Sequence, residues 1–96
     1  MITKEKALEI VKQYLQNRKR EYVSIAEKDK IYMENKVVEY GKYEDIKRNV
    51  FVVSYKIEGY QEPIPHFVIV DAEEGEVLFT STPHGYAEEW EDEEEL

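Results

Sequence analysis

The stretch His66 to Thr80, HFVIVDAEEGEVLFT, constrains this chain more than any other. Two apolar runs, Phe67–Val70 and Val77–Phe79, are rich in β-branched and aromatic residues. Between them, Asp71–Glu76 is acidic and holds a glycine, which is the chemistry of a turn. The pattern predicts a β-hairpin buried on at least one face. Gly75 suits a left-handed position in its turn, where any side chain would meet a steric penalty. Asp71, directly after an apolar run, is suited to accept backbone amide bonds inside that turn.

Upstream, Thr3 can cap a helix and Ile2 can staple onto Ala7. Apolar residues then recur at Ala7, Leu8, Val11, Tyr14 and Leu15, with Ile10 beside them, which is helical spacing. Arg18, Lys19 and Arg20 sit near the C-terminal end of this helix, where the helix dipole favours positive charge. Tyr22–Ala26 reads as a first strand and Glu27–Asn35 as a loop or an extended edge. Val37–Tyr40 reads as a short second strand that Gly41 limits or bulges, and Lys42–Asn49 as polar loop. Val50–Ile57 is a clearer strand. Phe51, Val53, Tyr55 and Ile57 make one apolar face, while Ser54 and Lys56 turn the other face polar. Glu58–Pro65, with two prolines, predicts a surface loop suited to carrying contacts.

Past the hairpin, Ser81–Gly85 is read as a loop and Tyr86–Glu95 as a short C-terminal helix, with residues 91–96 a frayed acidic tail. The expected architecture is α+β, one domain over residues 1–96. An N-terminal amphipathic helix packs on an antiparallel sheet of three to five strands.

Charge is unevenly placed. Residues 1–60 hold 13 basic and 10 acidic residues, a net of +3, while residues 61–96 hold 12 acidic and no basic residues, a net of −12. Such a field repels nucleic acid and anionic lipid, so neither is expected as a partner. It attracts a basic protein partner, or else it serves only to keep a small protein soluble. The N-terminus lacks the apolar run of a signal peptide, and the expected location is cytoplasmic.

No catalytic signature is present. There is no cysteine, and the two histidines, His66 and His84, stand 18 residues apart without ligand-like spacing. Ser81, His84 and Asp71 are the residue types of a hydrolytic triad but lack a nucleophile elbow or oxyanion-hole sequence. The expectation is a non-enzyme without metal or cofactor. The residues expected to meet a protein partner are Tyr60, Glu62 and Ile64 in the proline loop, His84 in the next loop, and Tyr86, Glu88, Glu89, Trp90, Glu91 and Asp92 at the C-terminal end. Trp90 also fits a second role, packing with Tyr86 and Ala87 on one helical stripe.

Several pieces in order resemble the small bacterial immunity-protein domains of the immunity protein 35 type. They are the Met-Ile-Thr opening with Ala7-Leu8-Glu9-Ile10-Val11, the aromatic strand Val50-Phe51-Val52-Val53, and the hairpin Val68-Ile69-Val70-Asp71-Ala72-Glu73-Glu74-Gly75-Glu76-Val77. Thr82-Pro83 and the acidic aromatic segment Tyr86 to Glu91 complete the series. The resemblance implies a protein that binds and neutralises a cognate bacterial toxin, with no chemistry of its own. PepSY-type domains share the helix-then-hairpin order and a similar Asp-x-x-x-Gly turn. That second resemblance implies an inhibitory or regulatory module acting on a peptidase.

Overall fold

The computed structural model describes residues 1–41, 43–83 and 85–87. Helix α1 (Lys4–Asn17) starts where expected, with the Thr3 hydroxyl accepting the Lys6 amide at 3.1 Å. It buries Ala7, Val11, Tyr14 and Leu15, an i, i+4, i+7, i+8 stripe. Its end is a Schellman arrangement. Lys19 is left-handed (φ 56°), its amide donates to the Gln16 carbonyl, and the Arg20 amide donates to the Leu15 carbonyl. The basic triplet therefore follows the last turn rather than lying in it. Arg18 and Arg20 set their guanidiniums over the Tyr14 ring, 5.2 and 5.5 Å from its centroid.

Among the described residues six strands follow: β1 (Ser24–Ile25), β2 (Tyr32–Val37), β3 (Lys47–Ile57), β4 (Ile64–Asp71), β5 (Val77–Thr82) and β6 (Gly85–Ala87). All pairings between them are antiparallel. β1 and β2 pair with successive parts of β3, Ser24 opposite Lys56 and Tyr32 opposite Val52. They form one edge, interrupted by a 3-10 turn at Lys28–Lys30. The sheet is thus a five-position meander in the order β1/β2, β3, β4, β5, β6.

Two expected elements are displaced. The second strand lies at Tyr32–Val37, beginning within Glu27–Asn35, the stretch read as a loop or an extended edge, and sharing only Val37 with the expected Val37–Tyr40. Charged and polar residues tolerate this position because β2 is an edge strand, exposed along most of its length. The C-terminal helix does not begin at Tyr86. Gly85–Ala87 fold back beside β5, Tyr86 opposite Ser81 and Ala87 opposite Thr80. Tight reversal after Thr82 places them in reach of the β5 ladder, and pairing outweighs their helical spacing. The rest of that expected helix and the acidic tail lie outside the described residues.

The sheet carries a core on each face. On the helix side, Val11, Leu15 and Ile31 pack with Phe51, Val53, Tyr55, Val68 and Val70. On the other, Val50, Val52, Ile69, Leu78 and Phe79 pack beneath Val38, with Tyr40 and Tyr43 against them. This second core comes from even positions of β3 and from Val38, Tyr40 and Tyr43, the last in a stretch read above as polar loop. A bulge in β5 helps build it. Phe79 pairs with Ile69 and Val77 with Val70, so the intervening Leu78 has no partner and joins Phe79 in the second core.

The hairpin turn has the expected chemistry and an added anchor. Gly75 is left-handed (φ 75°), and its amide and that of Glu74 donate to the Asp71 carbonyl and carboxylate, both at 2.8 Å. Asp71 is fully buried. Arg48 of β3 grips it with two bonds, Nε to Oδ1 at 2.9 Å and Nη2 to Oδ2 at 2.8 Å. The Tyr43 ring lies 4.0 Å from the same guanidinium, which holds Tyr43 in a left-handed backbone (φ 69°) that a bulky residue otherwise avoids. Replacing Asp71 by alanine removes both bonds and the turn acceptor. Urea denaturation of D71A is expected to show a loss of about 3 kcal/mol in unfolding free energy.

Candidate binding site

In a meander, alternate connections share one end of the sheet. The β3–β4 loop (Glu58–Pro63) and the β5–β6 turn therefore lie at the same end. The Arg18–Val23 linker joins them there, since Ser24 of β1 stands opposite Lys56 of β3. The 38–46 segment and the Asp71–Glu76 turn occupy the far end. The two loops expected to carry contacts are thus neighbours in the fold.

The β3–β4 loop is drawn tight. A Cβ on Gly59 would fall well inside contact distance of the Glu62 carbonyl oxygen and 2.8 Å from Ile64 Cγ1. This close backbone approach throws Tyr60 outward, where it is fully exposed. Glu62 is exposed as well. Ile64 and Pro65, expected in the loop, are instead the first residues of β4. Ile64 is half-buried opposite Ile57, and Pro65 stands opposite Lys56. The Ala72 amide bonds the Asn49 carbonyl, and alternation along the ladder then turns the nitrogen of Pro65 away from β3. The proline thus costs that ladder no donor.

Beneath this end lies an aromatic cluster. Tyr55 Oη is 3.2 Å from His66 Nδ1, and the Tyr55 ring meets those of Tyr22 and His66 edge-on. Burial pushes the Tyr55 phenol above its ordinary pKa, with a hydrogen bond from Arg20 opposing the shift. On the β4 strand, His66 shares the helix side with Val68 and Val70, while Asp71 faces the other side beside Arg48. The alternation of the strand thus keeps His66 and Asp71 on opposite faces of the sheet. Among the described residues no three His, Asp or Glu side chains gather as for a metal.

Of the expected contact residues, the structure brings Tyr60 and Glu62 to the surface together and puts Ile64 at their base. Tyr86 takes a place in β6, at the register position opposite Ser81. His84, Glu88, Glu89, Trp90, Glu91 and Asp92 lie outside the described residues. Sequence reasoning passed over an exposed aromatic pair, Tyr32 and Phe67, which border a shallow groove of about 200 Å³ floored by Val52, Ile69 and Phe79. Tyr32 stands among charged residues with no apolar alternation to signal it. A larger groove of about 680 Å³ runs between α1 and the start of β5, lined by Gln13, Tyr14, Arg18 and Val77 among others.

Comparison with protein-family models, with curated proteins and with solved structures gave no match. No helix among the described residues is long and apolar enough to cross a membrane.

Two outcomes test this end of the molecule. Ala at Gly59 forces the loop off Glu62, and G59A is expected to lose about 1 kcal/mol or more of stability in urea. The Tyr55 shift has a defined sign. Its folded-state pKa is raised, so its contribution is complete below the ordinary tyrosine value of about 10 and is lost as pH rises through the folded value. Urea midpoints followed from neutral to strongly alkaline pH should fall less steeply in Y55F than in the parent chain.

Proposed function

We propose that this protein is a non-enzymatic, cytoplasmic binding protein that neutralises a bacterial toxin, docking through the sheet end that carries Tyr60 and Glu62. One observation supports the reading above all. The topology gathers the proline-braced loop and the β5–β6 turn at one end, with a fully exposed tyrosine at the tip. An aromatic side chain held out on a tight backbone suits an interface anchor, because little loop entropy is lost on binding. The net −12 of residues 61–96 supports a basic partner through its long-range field, which speeds encounter, since Glu73, Glu74 and Glu76 lie at the far end and not at the docking end. The order of motifs shared with immunity-protein domains supports a toxin as that partner.

Co-expression with the toxin encoded beside it is expected to yield a complex whose association slows as salt rises. Y60A should keep the thermal midpoint of the parent and weaken the complex at least about tenfold. A salt-insensitive complex, no complex, or full affinity in Y60A would overturn the reading. Inhibition of a peptidase in place of a toxin would favour the PepSY-like alternative.

A further inference from the structure

Strand β2 forms one edge of the sheet, and among the described residues no element is hydrogen-bonded to its outer side. Its ladder phase follows from two bonds. The Val38 amide donates to the Ile46 carbonyl at 2.9 Å, two residues along from the Lys36–Arg48 pair. On the other side of β3, the Asn49 carbonyl is taken by the Ala72 amide of the β4 end. Both place the inward backbone groups at Tyr32, Glu34 and Lys36, so Met33, Asn35 and Val37 turn their amides and carbonyls outward. The chain leaves this edge toward opposite faces. Ile31 packs in the helix-side core and Val38 in the other. Neither end folds over the open ladder.

The side chains are symmetric about Asn35. Glu34 and Lys36 flank it on one face, and Met33 and Val37, each about half exposed, flank it on the other. We propose that two copies of the chain pair antiparallel through β2, about a two-fold axis through Asn35. In this register Asn35 faces its own copy, Met33 faces Val37, and Glu34 faces Lys36, twice each by symmetry. All three outward-facing residues then exchange both backbone bonds with the partner. Paired residues share a parity, so the two sheets run on as one with both helices on the same side. Charged edge strands ordinarily discourage such pairing. Here the charges are opposite and mirrored, so the same pattern rejects other registers and favours this one. The pairing is independent of the toxin-binding reading, and it leaves the two Tyr60 ends pointing in opposite directions, both open.

Sedimentation equilibrium of the full chain should show a concentration-dependent dimer. E34K alone and K36E alone each set like charges opposite one another and should weaken the dimer at least about tenfold. An equimolar mixture of the two restores both ion pairs and should return a dimer of mixed composition. Mixing also controls for the Lys36–Glu39 bond that K36E breaks within each chain. N35P removes an outward amide from the ladder together with the exposed Asn35 Nδ2–Asn49 Oδ1 bond (2.8 Å), and should give a folded monomer by circular dichroism. A monomeric parent at millimolar concentration, a dimer that survives in folded N35P, or a mixture that fails to re-form the dimer would each overturn the proposal.

Discussion

The pairing of Arg48 with a fully buried Asp71 is the contact on which most of the architecture converges. An ionised carboxylate without solvent is costly unless every oxygen is occupied, and here two guanidinium nitrogens and the Glu74 amide occupy them. The bond to Asp71 is the largest cause holding Arg48 protonated beyond its ordinary range. Because Arg48 is on β3 and Asp71 ends β4, the pair closes their ladder where Val50 opposes Asp71. Because Asp71 also opens the turn, the pair orients the hairpin. Tyr43 on the guanidinium extends the same anchor to the 38–46 segment, which roofs the second core.

That second core explains how so short a chain fills both faces of its sheet. One helix covers one face. The opposite face is covered by Val38, Tyr40 and Tyr43, and Tyr40 meets Phe79 edge-on. The cover is partial. It ends before Tyr32 and Phe67, so apolar surface is left toward the Tyr60 end. The β5 bulge matters here, because it turns Leu78 and Phe79 to the same side and thickens the core under Val38, Tyr40 and Tyr43.

Stability and exposure are divided along the strands. The buried anchor and the tight turn are at one end. At the other end are the exposed loop tip, the aromatic cluster around Tyr55, and the basic residues after α1. A rigid far end permits an exposed near end, since the register that positions Tyr60 is set by packing several residues away.

Helix α1, its Thr3 cap, the apolar face of β3 and the left-handed Gly75 turn were all legible in the sequence, because each depends on neighbours within a few residues. Periodicity and turn chemistry encode such contacts directly. The loop carrying Tyr60 and Glu62 was legible too, through its prolines and glycine. What the sequence could not reveal rests on contacts between distant residues. Nothing near Asp71 announces Arg48, which is 23 residues earlier. Nothing in the polar run after Gly41 announces that Tyr43 roofs a core. Tyr86 and Ala87 have helical spacing, yet they form a strand because the β5 ladder is beside them and a pairing partner outweighs local propensity. The hairpin itself was therefore determined by sequence alone, while its anchor, its second buried face and its neighbouring strand were decided only when tertiary structure brought the partners together.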